Sequence, residues 1–157
     1  MRTGDCRPQG GFAFVAVLVL LALCMLGLSI AGPLWSQQVK REREQELLRI
    51  GALYANALAN YRAASPGSLK QYPVSMQDLL FDTRYLGTQR YLRKLYADPM
   101  NPRQSWGLML DAERRIVGVY SRSDDPPIAE GSIELGNIIL SPAKRYSDWK
   151  FMVVRRP

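Results

Sequence analysis

The sequence contains no histidine. That absence removes histidine general bases, nucleophile–histidine triads and histidine-ligated zinc. Cysteine is almost as scarce, with only Cys6 and Cys24 in 157 residues. Cys6 precedes an apolar block and Cys24 lies inside it. A membrane around that block would put the two thiols in different compartments, so no disulfide is expected between them. From Lys40 onward there is no cysteine. That part must be held by packing, or by a metal bound through oxygen ligands. No glycine-rich phosphate loop is present. Asp98, Asp111, Asp124 and Asp125 all fall at turn signals, where Asp is favoured for local hydrogen bonding. The chain is therefore not expected to be an enzyme.

Charge is also missing where it matters most. No charged residue occurs from Phe12 to Val39, and Phe12 to Ala31 is almost purely aliphatic, aromatic or glycine. About 20 such residues cross a bilayer core as a helix. The net charge is +7, but the basic residues are scattered in pairs along the remainder. Only Lys40, Arg41 and Arg43, beside the apolar block, have an obvious physical use. Nucleic-acid binding is accordingly not expected.

Three readings of the N-terminus compete. A secretory signal would be cut after Ser29-Ile30-Ala31, although the apolar run exceeds the usual length for such a signal. A lipoprotein signal ending at Cys24 would have Leu21-Ala22-Leu23 before the cysteine, with a bulky Leu where a small residue is wanted. A retained anchor explains more, because helical pattern continues past Pro33. Leu47, Ile50, Gly51, Tyr54, Leu58 and Tyr61 share one helical face. The spacing predicts one helix, bent at Pro33 and ending near Ser65-Pro66-Gly67. Arg41-Glu42-Arg43-Glu44 reads as a solvated face of it, and Trp35 suits a membrane interface or a subunit contact.

Beyond the helix, Ser75-Met76-Gln77-Asp78 reads as a capping box opening a short helix through Phe81. Thr88 is the candidate cap of a second, carrying Tyr91, Leu92 and Leu95. Alternation predicts strands around Trp106–Leu110 and Ile116–Tyr120, joined by a turn at Asp111–Arg114. A third strand is expected at Trp149–Val154. Ser123–Tyr146 reads as a long loop with at most short strand pieces. The expected class is α+β: a long N-terminal helix, half transmembrane and half amphipathic, packed on a small antiparallel sheet.

Gly10-Gly11-Phe12-Ala13-Phe14-Val15-Ala16, leading into an apolar helix, resembles the N-terminus of the type IV pilin-like family, most closely the pseudopilins of type II secretion. Pro33 stands where family members often carry a bending proline. Gln71–Leu80, Tyr96–Pro102 with Trp106-Gly107, and Tyr146–Phe151 are similar to later family segments, in the family's order. The resemblance implies a pilin-like fold with a leader at 1–11, a transmembrane helix at 12–38 and a periplasmic domain at 39–157. It implies that a prepilin peptidase cuts Gly11–Phe12 and methylates the new amino group of Phe12. It implies a single-pass protein of the bacterial inner membrane, assembled by its helix with other pseudopilins or pilins on an inner-membrane assembly platform, in a filament serving protein transport. Orientation rests on the resemblance, since Lys40, Arg41 and Arg43 flank the far side. One departure is Ala16, where most members have Glu. A carboxylate in the bilayer needs a partner, so its absence implies either a divergent or minor subunit or a variant that packs without that ion pair.

Family members also place a calcium-binding loop near the C-terminus. By that resemblance Asp124, Asp125 and Glu130 are the candidate Ca²⁺ ligands, with oxygen donors on a loop as Ca²⁺ prefers. A solvated turn before Pro126-Pro127 is the competing reading. Two other functions stay open: a signal-anchored periplasmic binding or adaptor protein, and a DNA-binding minor pilin.

Overall fold

The computed structural model describes residues 10–85, 87 and 89–153, with side chains for all of these except 10, 11 and 26–34. The chain divides into two compact units, Met1–Lys40 and Arg41–Pro157. Helix α1, Gly10–Ala63, contributes to both.

In the first unit α1 is the sole element among the described residues. Its described side chains from Phe12 to Met25 are all exposed, and all round the helix they are predominantly apolar. Among the described residues no helix is long and apolar enough to cross a membrane. The span expected over 12–38 falls partly on 26–34, whose side chains lie outside those described.

In the second unit α1 becomes one-sided. The predicted stripe of Leu47, Ile50, Gly51, Tyr54, Leu58 and Tyr61 is buried throughout. It meets a core that includes Leu79, Trp106, Val119, Ile138, Tyr146, Trp149 and Phe151. Full burial of such a side chain contributes about 1.5–3 kcal/mol. Aromatic edges organise this core. Tyr54 meets Trp106 at 5.5 Å, Trp106 meets Phe151 at 6.2 Å and Tyr146 meets Trp149 at 5.3 Å, all edge-on. Gly51 lets the Phe151 ring lie directly on the helix backbone; a Cβ there would fall inside the ring's contact distance.

The helix ends at Ala63, as the Ser65-Pro66-Gly67 signal predicts, with Gly67 at φ 76°. Lys70 Nζ closes the end by donating to the carbonyls of Ala63 (3.0 Å) and Ser65 (2.9 Å). The predicted capping box forms: Ser75 Oγ accepts from Gln77 N at 3.2 Å, and Asp78 Oδ2 accepts from Ser75 N at 3.0 Å. It opens a single 3-10 turn, Met76–Leu79, which stops short of Phe81.

Strands β1 (Gly107–Leu110) and β2 (Ile116–Tyr120) form the predicted antiparallel hairpin. Asp111 Oδ1 holds its turn by accepting from Glu113 N (2.9 Å) and Arg115 N (2.8 Å), with Arg114 in the left-handed region at φ 61°. A second antiparallel pair, β3 (Ile133–Leu135) and β4 (Ile138–Leu140), lies inside the stretch read as a loop. Its two-residue turn has Gly136 first at φ 64°, the position that demands glycine in such turns. The class is therefore α+β with two small antiparallel sheets.

Two expected elements are absent among the described residues. No helix follows Thr88, which itself lies outside them. Instead Asp82 bridges Gln89, and the amides of Tyr91 and Leu92 donate to Leu79 O. Those backbone donors are thus spent on a cross-chain contact. The third strand shrinks to one bridge, Val119 with Phe151. Immediately before it the chain turns through a 3-10 helix, Tyr146–Asp148, leaving little extended backbone to pair.

Candidate functional site

The expected processing point Gly11–Phe12 falls in the first turn of α1, while leader residues 1–9 lie outside the described residues. Phe12 is 84% exposed, and Ala16 is exposed on the same helix. Pro33 is within α1, but its side chain is outside those described. Trp35 is 77% exposed. An α-helix that is apolar on all sides has no face suited to water. The described side chains of this one from Phe12 to Met25 are exposed.

Asp124, Asp125 and Glu130 are all exposed and are not gathered around a common point. Asp124 Oδ1 accepts from Ser147 Oγ at 3.2 Å and pairs with Arg145 at 3.4 Å. Asp125 Oδ2 accepts from Ser123 Oγ at 3.0 Å. Among the described residues no group of three or more acidic or cysteine side chains is placed to hold a metal ion. The Asp124 and Asp125 oxygens serve local turns and a cation on the chain.

The carboxylates that matter are others. Glu44 is only 7% exposed, on the same face as Leu47 and Gly51. Its carboxylate accepts from Ile128 N (2.7 Å), Ala129 N (3.2 Å) and Tyr146 Oη (2.6 Å). It thereby ties α1 to the segment entering β3 and to the turn before Phe151. Burial, then the Glu44 carboxylate beside it, pushes the Tyr146 hydroxyl well above the ordinary phenol range, so it stays a donor. The reading of residues 41–44 as one solvated face holds for Arg41, Glu42 and Arg43 and fails for Glu44.

Asp82, also buried, accepts from Arg84 Nε (2.8 Å), Arg84 Nη2 (2.6 Å) and Tyr91 Oη (3.1 Å). Arg84 then donates to Ser65 Oγ (2.7 Å) and to Tyr61 O (3.0 Å), with its guanidinium 3.6 Å from the Tyr61 ring centre. A cation thus closes the carbonyl end of α1, where the helix dipole favours it. The Arg84 donors hold the Asp82 carboxyl below its ordinary range. Asp98, buried, accepts from Ser121 Oγ (2.6 Å) and Met100 N (2.9 Å), fixing the Asp98-Pro99 turn to the end of β2. Each of these three carboxylates is occupied by internal donors, so their chemistry is positional. The sequence signal for Glu44 was its helical spacing, three residues before Leu47 and seven before Gly51. For Asp82 and Arg84 there was none.

No family model, no curated protein and no solved structure matches this chain.

Proposed function

We propose that this chain is a pilin-like structural subunit, most similar to the pseudopilins of type II secretion, anchored in the bacterial inner membrane by residues 12–38 with its second unit in the periplasm. The carrying observation is the uncovered N-terminal helix. Residues 12–25 expose apolar side chains on every side and no charge occurs from Phe12 to Val39. Such a surface is stable only in lipid or against other helices. A subunit that leaves lipid to pack in a filament core exchanges one for the other. The Gly11–Phe12 motif, by resemblance, supplies the processing point for a prepilin peptidase.

The lack of a carboxylate at Ala16 fits a minor or divergent subunit, because no buried charge then has to find a partner in the fibre. The second unit is held by packing and internal polar clamps. It therefore stays folded while α1 changes surroundings.

The test is co-expression with and without a prepilin peptidase, followed by an alkaline wash of the membranes. The expected result is a chain shortened only when the peptidase is present, and retained in the membrane pellet in both cases. A soluble periplasmic chain would contradict the proposal. So would a membrane chain that the peptidase never shortens, which is the behaviour of a plain signal-anchored adaptor.

A further inference from the structure

The core face of the β1–β2 hairpin is covered on one strand and open on the other. Val119 of β2 and Leu108 of β1 stand opposite each other and share that face, yet Val119 is fully buried and Leu108 is 39% exposed. The same face opens progressively along the chain, from Trp106, just before β1, at 5% to Leu110 at 52%. The apolar layer over α1 thus ends one strand short. A cleft of about 230 Å³ marks the gap, with Tyr54, Met76, Leu95, Trp106 and Leu108 among its walls.

The backbone at this edge is also unused. Val119 N donates to Phe151 O at 3.1 Å, and Phe151 N donates to Val119 O at 2.9 Å. Both polar backbone groups of Val119 therefore point away from β1, so Val119 and Leu108 form a non-hydrogen-bonded pair. The N–H and C=O of Leu108 must then point to the outer edge, where no group among the described residues meets them. From Ser105 to Leu110 there is neither proline nor charge, the usual protections of an edge strand. The register shift between Met109 and Leu110 leaves Leu108 in the regular part of β1. The rim of the cleft is positive. Arg122, in its wall, is exposed and makes no ion pair among the described residues. Lys94 Nζ stands 5.3 Å from the ring centre of Tyr96, another residue of the wall. The one acid from Gln89 to Gly107 is Asp98, which is buried and already holds Ser121 and Met100.

We infer that the outer edge of β1 receives an extended segment of another protein. The segment's backbone pairs with Leu108, one of its apolar side chains enters the cleft beside Tyr54, and a carboxylate two residues away on the same face meets Arg122. Three separate features select this occupant. The unpaired N–H and C=O require main chain, the cleft requires an apolar side chain, and the positive rim requires an acid. The β1 strand of a second copy does not meet them, because it has no acid before Asp111, whose carboxylate is spent in its own turn. All these residues lie in the second unit, so the pairing does not rest on leader removal or membrane anchoring.

The experiment titrates the full chain, in detergent micelles, into a fluorescein-labelled peptide of sequence Thr-Asp-Thr-Ile-Thr-Asp-Thr and reads the anisotropy. That sequence presents Ile and Asp on one face in either strand direction. Saturable binding is expected. Arg122→Glu should weaken it about tenfold, and a peptide with Lys in place of both Asp should recover it on that variant. Backbone N-methylation separates edge pairing from apolar contact alone. Methylating the Ile and Asp amides blocks one edge of the peptide strand, and methylating the Thr amides blocks the other. One pattern should lower the affinity by about tenfold or more while the other leaves it nearly unchanged. These peptide comparisons use the unaltered chain, so they decide the matter even where Arg122→Glu fails to fold. No saturable binding, equal effects of the two methylation patterns, or binding by a folded variant indifferent to the charge exchange would overturn the inference. Self-association of the chain that excludes the peptide would also overturn it, by giving the edge to a second copy.

Discussion

Two single residues show how locally this fold is decided. Gly51 lies in the middle of α1, where alanine ordinarily gains about 1 kcal/mol over glycine. Here the Phe151 ring occupies the space a methyl group would need. Ring and helix backbone must separate to admit it, and overpacking of that kind costs about 1–3 kcal/mol. Gly51→Ala is therefore expected to destabilise the second unit, by up to about 2 kcal/mol net, in urea unfolding followed by tryptophan fluorescence. A stabilised variant would mean that Phe151 does not pack on the helix. Glu44 makes the complementary case. Read by charge it belongs with its exposed neighbours, and read by helical spacing it belongs with the core. Spacing wins because two backbone amides and a tyrosine hydroxyl wait for it there. Removing one partner from such an arrangement costs more than the bond itself, since buried donors are then left unpaired.

At the scale of elements, the ends of α1 and of the strands depend on polar groups from distant sequence. The Asp82–Arg84 pair reaches back to Tyr61 and Ser65 at the helix end. Its pH dependence has a definite sign. The folded Asp82 carboxyl titrates below its free value of about 3.8, so its stabilisation is complete above that range and is lost as pH falls through the lowered value. Thermal stability should fall on acidification between about pH 5 and pH 2, and Asp82→Asn should flatten that fall. At neutral pH Asp82→Asn should already be less stable by about 2 kcal/mol. Scanning calorimetry across that range checks both, and parallel acid profiles for the two proteins would contradict the role given to Asp82.

The same scale shows what was readable beforehand. The amphipathic half of α1, its stop at Ser65-Pro66-Gly67, the Ser75/Asp78 box and the β1–β2 hairpin each had a local cause, so their residues announced them. The β3–β4 hairpin had one too: Gly136-Asn137 between the short runs Ile133-Glu134-Leu135 and Ile138-Ile139-Leu140. It was hidden by the prolines and glycines around it and by strands of three residues. The helix expected after Thr88 failed for the opposite reason. Its local pattern was sound, but Leu79 O captured the amides of Tyr91 and Leu92. The Asp82–Arg84–Ser65 cluster joins residues 19 apart through loops with no periodicity, and no local pattern encodes it.

For the whole molecule, the two units differ in what they do with apolar surface. Arg41–Pro157 buries its own apolar surface and satisfies its own buried carboxylates. The described part of the N-terminal helix does neither and needs a partner phase or partner helices. This division is what a filament subunit drawn from a membrane requires: a self-sufficient domain and a segment stable only in company. The account stands on that segment being kept on the mature chain and trimmed at one bond. The most direct measurement is the intact mass of the chain isolated from cells that carry a prepilin peptidase. It should correspond to a polypeptide beginning at Phe12 with a methylated amino group. A mass beginning at Gly32, or one retaining Met1 through Gly11 in full, would contradict it.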